Sequence, residues 1–239
     1  MKVYFIGAGP GASDLITIRG AEILARVPVV LYAGSLVPPA VLTHCRLDAE
    51  IINSAELNLD EQVECYQRAR SIGYDVARVH SGDPSIYGAT AEQMRRLKQL
   101  GIDYEVVPGV SSFTAAAACV RTELTKPEVS QTIILTRTEG RASAVPPEES
   151  IGKLAAHGAT MSIFLSGQYL KETIADLMEH YPEDTPVALV YRATWPDERS
   201  HVSTLGRLLQ EINPAEWRLT TVMLVGQALS NEAGADSRL

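Results

Sequence analysis

Cysteine is scarce. Cys45, Cys65 and Cys119 are the only three in 239 residues, and none stands at a CxxC spacing. That argues against a cysteine-built zinc site and a disulfide framework, and points to free thiols in a reducing compartment. His44-Cys45 has no second pair at ligand spacing, so no metal is expected. Positive charge is short too: 21 Lys and Arg against 29 Asp and Glu leave a net charge of −8. A non-specific nucleic-acid binder is disfavoured, although a local basic cleft is still compatible with that balance. No apolar stretch approaches the roughly 20 residues of a membrane span. Met1-Lys2-Val3-Tyr4-Phe5 leads straight into a strand and does not resemble a signal peptide. No GxxxxGK(S/T) occurs, which removes a P-loop. The expectation is a cytoplasmic chain with neither membrane nor nucleic acid as partner.

What is present is an alternation of apolar β-rich runs with helix-like segments. Val3–Ile6, Val29–Tyr32, Val76–Val79 and Tyr104–Val107 read as strands. Between and after them come helical patterns: Thr17–Arg26 with Thr17 as N-cap, Leu59–Ile72, a segment from Thr90 to Gly101, and the alanine-rich Ser112–Val120. Thr90-Ala91-Glu92-Gln93 reads as a capping box. After an interruption at Lys126-Pro127 the pattern starts again, with strands at Thr132–Leu135, Met161–Leu165, Val187–Tyr191 and Val222–Val225. Most strands are apolar throughout, as expected when both faces of a sheet are covered. This is α/β. It divides into two α/β domains, residues 1–120 with glycine-rich loops and residues 121–239. Ligands of such sheets sit beyond the carboxyl ends of the strands.

Three loops follow strands of the first half: "GAGPGASD" after the first, "HSGDPSIYG" after the third and "VPGVSSFTAAAA" after the fourth. The opening Gly7-x-Gly9-x-x-Ala12 fits a loose dinucleotide pattern. The second strand, however, ends in Leu31-Tyr32-Ala33-Gly34-Ser35 without the ribose-binding acid, and Asp14 puts a negative charge where a phosphate would sit. The alternative is a tight turn needing glycine, and such a turn also lets backbone approach a ligand closely. Together the loops make a floor of backbone amides and small side chains.

The ordered trio "VYFIGAGPGASDLITIRG", "HSGDPSIYG" and "VPGVSSFTAAAA" resembles the tetrapyrrole methylases over essentially the whole chain. "YAGSLVP", "ELTKPEVSQTIILTR", "GRAS", "YRATWPDE" and the closing "SRL" look like the branch acting at carbon 11 of precorrin-4 or cobalt-precorrin-4 in corrin biosynthesis. The resemblance implies the tetrapyrrole methylase fold, with the active-site cleft between its two domains. It implies S-adenosylmethionine as methyl donor, leaving as S-adenosylhomocysteine, and a homodimer. Its first loop borders the tetrapyrrole trough and is not a pyrophosphate cradle. Matched motif to motif, it puts Pro10, Ser81, Gly82, Asp83, Ile86, Ser111 and Ser112 on cofactor-contacting positions, and in the second domain Ser166 and Ala193.

A precorrin carries many carboxylates, and guanidinium forks match them. Arg137, Arg141, Arg192 and Arg199 follow strand ends in the second half, and Arg141 and Arg192 are the substrate-binding candidates. Arg19 and Arg121 are weaker ones, and Arg95, Arg96 and Lys98 read as an exposed helix face. No catalytic base is assigned. Tyr87 and His80 border the loops, but a lone Tyr or His beside a strand is more often a packing residue. A dinucleotide-dependent oxidoreductase, a non-catalytic tetrapyrrole carrier and another methylase of the same pathway stay open as alternatives.

Overall fold

The computed structural model describes residues 1–139, 144–165, 169–217 and 219–230. The chain divides into two units, Met1–Ser112 and Phe113–Leu239.

The first unit is a five-stranded parallel sheet. In chain order its elements are β1 (Lys2–Gly7), α1 (Ile18–Leu24), β2 (Val29–Tyr32), β3 (Glu50–Asn53), α2 (Leu59–Ser71), β4 (Val76–His80), α3 (Thr90–Gln99) and β5 (Asp103–Val107), and the strands lie side by side as β3-β2-β4-β1-β5. Alternate residues of each strand supply two cores. Tyr4, Ile6, Val30, Ala77 and Val79 pack with Ile23 and Leu24 of α1. Val3, Phe5, Leu31 and Val76 pack with Val63 and Tyr66 of α2 and Leu97 of α3. The central strands β1, β2 and β4 are therefore covered on both faces, which is why they are largely apolar, while the edge strands β3 and β5 are more exposed.

Local chemistry sets the helix starts. Thr17 caps α1, its hydroxyl accepting from Gly20 N at 3.2 Å. A capping box opens α2: Asn58 Oδ1 accepts from the amides of Asp60 (2.9 Å) and Glu61 (3.1 Å), and Glu61 Oε2 accepts from Asn58 N at 2.7 Å. The box expected at Thr90–Gln93 does not form. Ala89, in the left-handed region at φ +49°, precedes the helix, and Thr90 is its first residue. As a first helical residue Thr90 is not placed to cap, and its hydroxyl donates to Pro84 O at 3.2 Å, holding the preceding loop.

The second unit repeats the sequence pattern but not the topology. It holds α4 (Ser112–Cys119, all but its first residue), β6 (Ile133–Arg137), α5 (Ile151–Ala155), β7 (Thr160–Leu165), α6 (Leu170–Met178), β8 (Pro186–Tyr191), β9 (Arg199–Thr204), α7 (Leu205–Glu211) and β10 (Thr221–Val225). Its sheet runs β6-β7-β10-β8-β9. Only β6 and β7 are parallel; β10 runs antiparallel to β7 and β8, and β9 antiparallel to β8. The alanines of α4 belong here, packed with Ala188, Val190, Ala193 and Leu224 on one face of this sheet. The unit boundary thus falls ahead of that helix, whereas the sequence pattern puts it after Val120. Leu177, Leu189, Leu205, Leu208 and Met223 fill the other face. Among the described residues no helix is long and apolar enough to cross a membrane, no metal-binding group of His, Cys, Asp and Glu assembles, and all three cysteines are free.

Candidate active site

The first candidate site is the edge where β1, β4 and β5 end. β1 lies between the other two, and each strand feeds a loop through glycine: Gly7, Gly82 and Gly109. Their backbones touch. A Cβ on Gly7 would stand 2.6 Å from both Gly109 Cα and Gly82 O, and one on Gly109 would stand 2.2 Å from Gly82 O. No side chain fits such gaps. Gly7 is therefore required by chain packing against the neighbouring loops. Two backbone bonds continue the junction, Gly82 N donating to Gly9 O at 2.8 Å and Gly9 N to Gly82 O at 3.3 Å.

Asp83 closes the edge. Its Oδ2 accepts from Gly109 N at 2.9 Å and its Oδ1 from Ser85 N at 2.7 Å. The carboxylate reaches from the loop after β4 to the loop after β5, across the exit of β1, where Gly7 offers no side chain to obstruct it. Hydrogen bonds to an ionised acceptor contribute about 1.5–3 kcal/mol each, so this side chain staples the loops. Ser111 is buried at 8% exposure, and its Cα and the amide nitrogen of Ser112 lie against Gly82, both 3.7 Å from where a Cβ would stand, an ordinary contact distance. Pro10, Ser81, Gly82, Asp83, Ile86, Ser111 and Ser112 thus come together on one edge. What they present to a ligand is backbone and short polar side chains.

Beneath the edge the last residue of β4, His80, is 4% exposed. Burial first, and the Arg78 guanidinium second, push its imidazole down to about 3. It packs against Phe5, ring centroids 5.8 Å apart, which fits support of the edge better than work as a solvent-facing base. Tyr87 stands 49% exposed in the loop, at φ +53°.

The second candidate site is the 192–198 connection between β8 and β9. Arg192 (φ +48°) and Thr194 (φ +68°) both occupy the left-handed region, which a β-branched residue enters only at a cost. The loop is braced to hold them there. Arg192 N donates to Thr220 O at 3.0 Å, Trp195 N to Arg192 O at 2.9 Å and Glu198 N to Trp195 O at 3.0 Å. Glu198 Oε2 accepts from Thr194 N at 2.6 Å, and its Oε1 from Cys119 Sγ at 3.2 Å. Ala193, between the two strained residues, is 5% exposed. The Arg192 guanidinium lies 3.9 Å from the Trp195 ring centroid, and its Nη1 donates to Asp197 Oδ2 at 2.6 Å. It is a held group, not a free fork. Arg199 does not follow a strand: it opens β9, stacks 4.6 Å from the Tyr191 centroid and 5.5 Å from that of Trp217, and donates to Glu216 O at 3.0 Å. Arg137 is the last residue of β6. Ser166 and Arg141 lie outside the described residues.

Pattern reading missed the Asp83–Gly109 staple, the aromatic seats of the two arginines, and the strands β3 and β9. The first has a signal in hindsight, since a carboxylate in one strand-end loop and a Pro-Gly turn in the next suit each other. The arginine seats depend on β9, whose polar, half-exposed sequence RSHVST carries no apolar run.

A sequence profile of the Tetrapyrrole (Corrin/Porphyrin) Methylases matches residues 2–209. The chain is 50% identical over 239 residues to the precorrin-4 C(11)-methyltransferase of Pseudomonas aeruginosa, covering all of this chain and 95% of that one. It is 44% identical over 239 residues to the cobalt-precorrin-4 C(11)-methyltransferase of Methanocaldococcus jannaschii, covering all of this chain and 92% of that one. The X-ray structure of a cobalt precorrin-4 methyltransferase, a cobalamin biosynthetic enzyme, superposes with a TM-score of 0.91 at 43% identity, covering 96% of each chain. Fold, loop edge and relatives agree, and the chain belongs to the tetrapyrrole methylase family.

Proposed function

We propose that this protein is an S-adenosylmethionine-dependent C-methyltransferase that methylates carbon 11 of precorrin-4 or cobalt-precorrin-4 in cobalamin biosynthesis. Half of its residues are shared with an enzyme named for that reaction. The observation that carries the reading is the edge itself, where the residues matched to cofactor positions stand together with their loops stapled by Asp83. Gly82 and the backbone of Ser111 and Ser112 meet there at ordinary contact distance, and an edge of backbone and serine side chains suits a neutral ribose or an amino-acid head group.

The cofactor supplies a methyl group on a sulfonium, already activated toward an electron-rich carbon. The chain's part is alignment, where a well-oriented pair gains as much as about 7–11 kcal/mol. In this proposal Pro10, Ser81, Gly82, Ile86, Ser111 and Ser112 hold the cofactor by backbone and short side chains, with Ser166 and Ala193 from the second unit. Asp83 acts through the loop shape it fixes, and Arg141 and Arg192 meet carboxylates of the macrocycle. The protein works in the cytoplasm as a homodimer. Family resemblance supports the dimer, and the free thiols at Cys45, Cys65 and Cys119 fit a reducing compartment.

Incubation with methyl-labelled S-adenosylmethionine and either the metal-free or the cobalt-bearing macrocycle tests the reading. Label appearing at carbon 11, with one S-adenosylhomocysteine formed per methyl, is the expected result. Label at another ring carbon points to a different methylase of the pathway, and binding without turnover to a carrier. Light scattering that returns the monomer mass of 25.9 kDa at micromolar concentration refutes the dimer.

A further inference from the structure

The loop bearing Asp83 has a front anchor on Gly109, and its rear end is held from inside the first unit. Gln93, in the first turn of α3, is 6% exposed. Its Oε1 accepts from Arg78 Nε at 3.1 Å and from Tyr66 Oη at 3.2 Å, and its Nε2 donates to Ala89 O at 3.1 Å. Ala89 is the left-handed residue that ends the loop. Arg78 is itself 6% exposed, its Nη1 has no hydrogen-bond partner, and no carboxylate pairs with it among the described residues. A guanidinium only donates and a backbone carbonyl only accepts. The side chain between them must therefore accept at one end and donate at the other. Glutamine does both at this reach; glutamate can answer Arg78 but not Ala89, and methionine can answer neither. The same demand fixes which way the amide points, because the flipped amide would aim its NH₂ at Arg78 and its oxygen at the Ala89 carbonyl.

We propose that Gln93, oriented by Arg78 and Tyr66, is the positioning residue that fixes the rear end of the 81–89 loop and so sets cofactor affinity from outside the binding edge. The proposal rests on the cofactor reading of that edge. It has an unusual consequence for Gln93→Glu. The new carboxylate supplies the counter-charge that buried Arg78 lacks, so global stability holds or rises. At the same time the Ala89 carbonyl loses its donor and faces a negative charge, so the loop loosens.

The test measures three quantities on the full-length protein: the thermal midpoint, hydrogen exchange of the backbone amides of residues 85–90 without ligand, and S-adenosylmethionine affinity by calorimetry. Gln93→Glu is expected to keep or raise the midpoint, to speed exchange at least threefold and to weaken affinity at least fivefold. Gln93→Met is expected to lower the midpoint and to weaken affinity as well. A Gln93→Glu protein whose affinity is unchanged, or whose midpoint falls in step with affinity as in a merely structural role, overturns the proposal. Ser112→Trp separates the two failures. If that bulky change on the edge also leaves affinity intact, the cofactor reading of the edge is what has failed; if it blocks binding, the role given to Gln93 is what has failed.

Discussion

The two candidate sites solve the same problem with different materials. The edge of the first unit is built from backbone: three glycines in mutual contact, amides that face one another, and one carboxylate that ties two loops. The 192–198 loop of the second unit is built from side chains. Two non-glycine residues are forced into left-handed conformations and kept there by Glu198, Trp195 and the backbone bond to Thr220. A backbone-built site fails when anything is added to it. A side-chain-built site fails when something is removed.

The largest effect expected from that contrast is at Gly7 and Gly109. An alanine at either puts a methyl group 2.6 or 2.2 Å from backbone atoms that have no room to move. The loss of stability should exceed about 3 kcal/mol, beyond ordinary overpacking. Gly82→Ala is the internal control. Its Cβ would meet nothing nearer than 3.7 Å, so the cost is only that of φ +61°, about 1–2 kcal/mol. Urea unfolding of the three variants orders them. Equal costs at Gly82 and Gly109 would break the backbone-built account of the edge.

Next comes the support under the edge. His80 is held neutral, its imidazole pushed down to about 3 from an ordinary 6.5. The sign follows from proton counting. Below pH 6.5 the unfolded chain takes up a proton that the folded chain refuses, so the stability His80 contributes is present above 6.5 and is lost as pH falls toward 3. The slope approaches roughly 1.4 kcal/mol per pH unit, giving about 2–3 kcal/mol between pH 6.5 and 4.5. His80→Gln should flatten this part of the unfolding profile. A slope identical to that of the native chain would mean that His80 is not the group responsible.

Asp83 follows. Its removal orphans two amides without adding bulk, so Asp83→Ala should fold, and should weaken cofactor binding at least tenfold by calorimetry through release of the loop after β5. Asp83→Asn keeps one acceptor oxygen for two donors and should fall between. Alanine and asparagine with native affinity would leave the staple without a function.

The same contrast explains what sequence could disclose. The first unit was legible because backbone-built features use residues that have few other reasons to cluster. Gly-Ala-Gly-Pro, Gly-Asp-Pro and Pro-Gly each follow an apolar run, and the central strands are covered on both faces, so those strands announce themselves; the short, mostly exposed edge strand β3 does not. Family resemblance added which of those residues to match with cofactor positions. The second unit was legible as α/β and no further. Its antiparallel pairings join β10 to β7 and β8 and β9 to β8, and strand direction is not written in an apolar run; the bracing of Arg192 depends on contacts among residues of ordinary composition. A positive φ at Thr194 leaves no trace in the letter Thr. The Thr90–Gln93 box fails for a related reason: the helix starts one residue earlier than a box needs, with Ala89 at the N-cap, and the acceptor oxygen of Gln93 is taken by Arg78 and Tyr66, which only tertiary structure brings to it.

The smallest expected effect concerns Arg192, and it bears most directly on the second site. Its guanidinium already holds Asp197, and the two side chains are 28% and 53% exposed. A pair so open to solvent is worth about 0–1 kcal/mol, so a substrate carboxylate can displace Asp197 at little cost. Two roles for Asp197 then make opposite predictions. If it is a competitor for the fork, Asp197→Asn frees the guanidinium, and tetrapyrrole binding tightens by about two- to fivefold at low salt. If it is a brace, the same change lets Arg192 swing off Trp195 and binding weakens, as it should in Arg192→Ala under either role. The competitor role is the expected one, because the ring of Trp195, 3.9 Å from the guanidinium, and the backbone bond to Thr220 already orient Arg192 without help. Fluorescence titration of the macrocycle against both variants, at low salt and again near physiological ionic strength, decides between them. The gain in Asp197→Asn should shrink as salt rises, while cofactor affinity stays flat throughout. Weaker binding in Asp197→Asn would make the carboxylate one more brace of a loop already built from them.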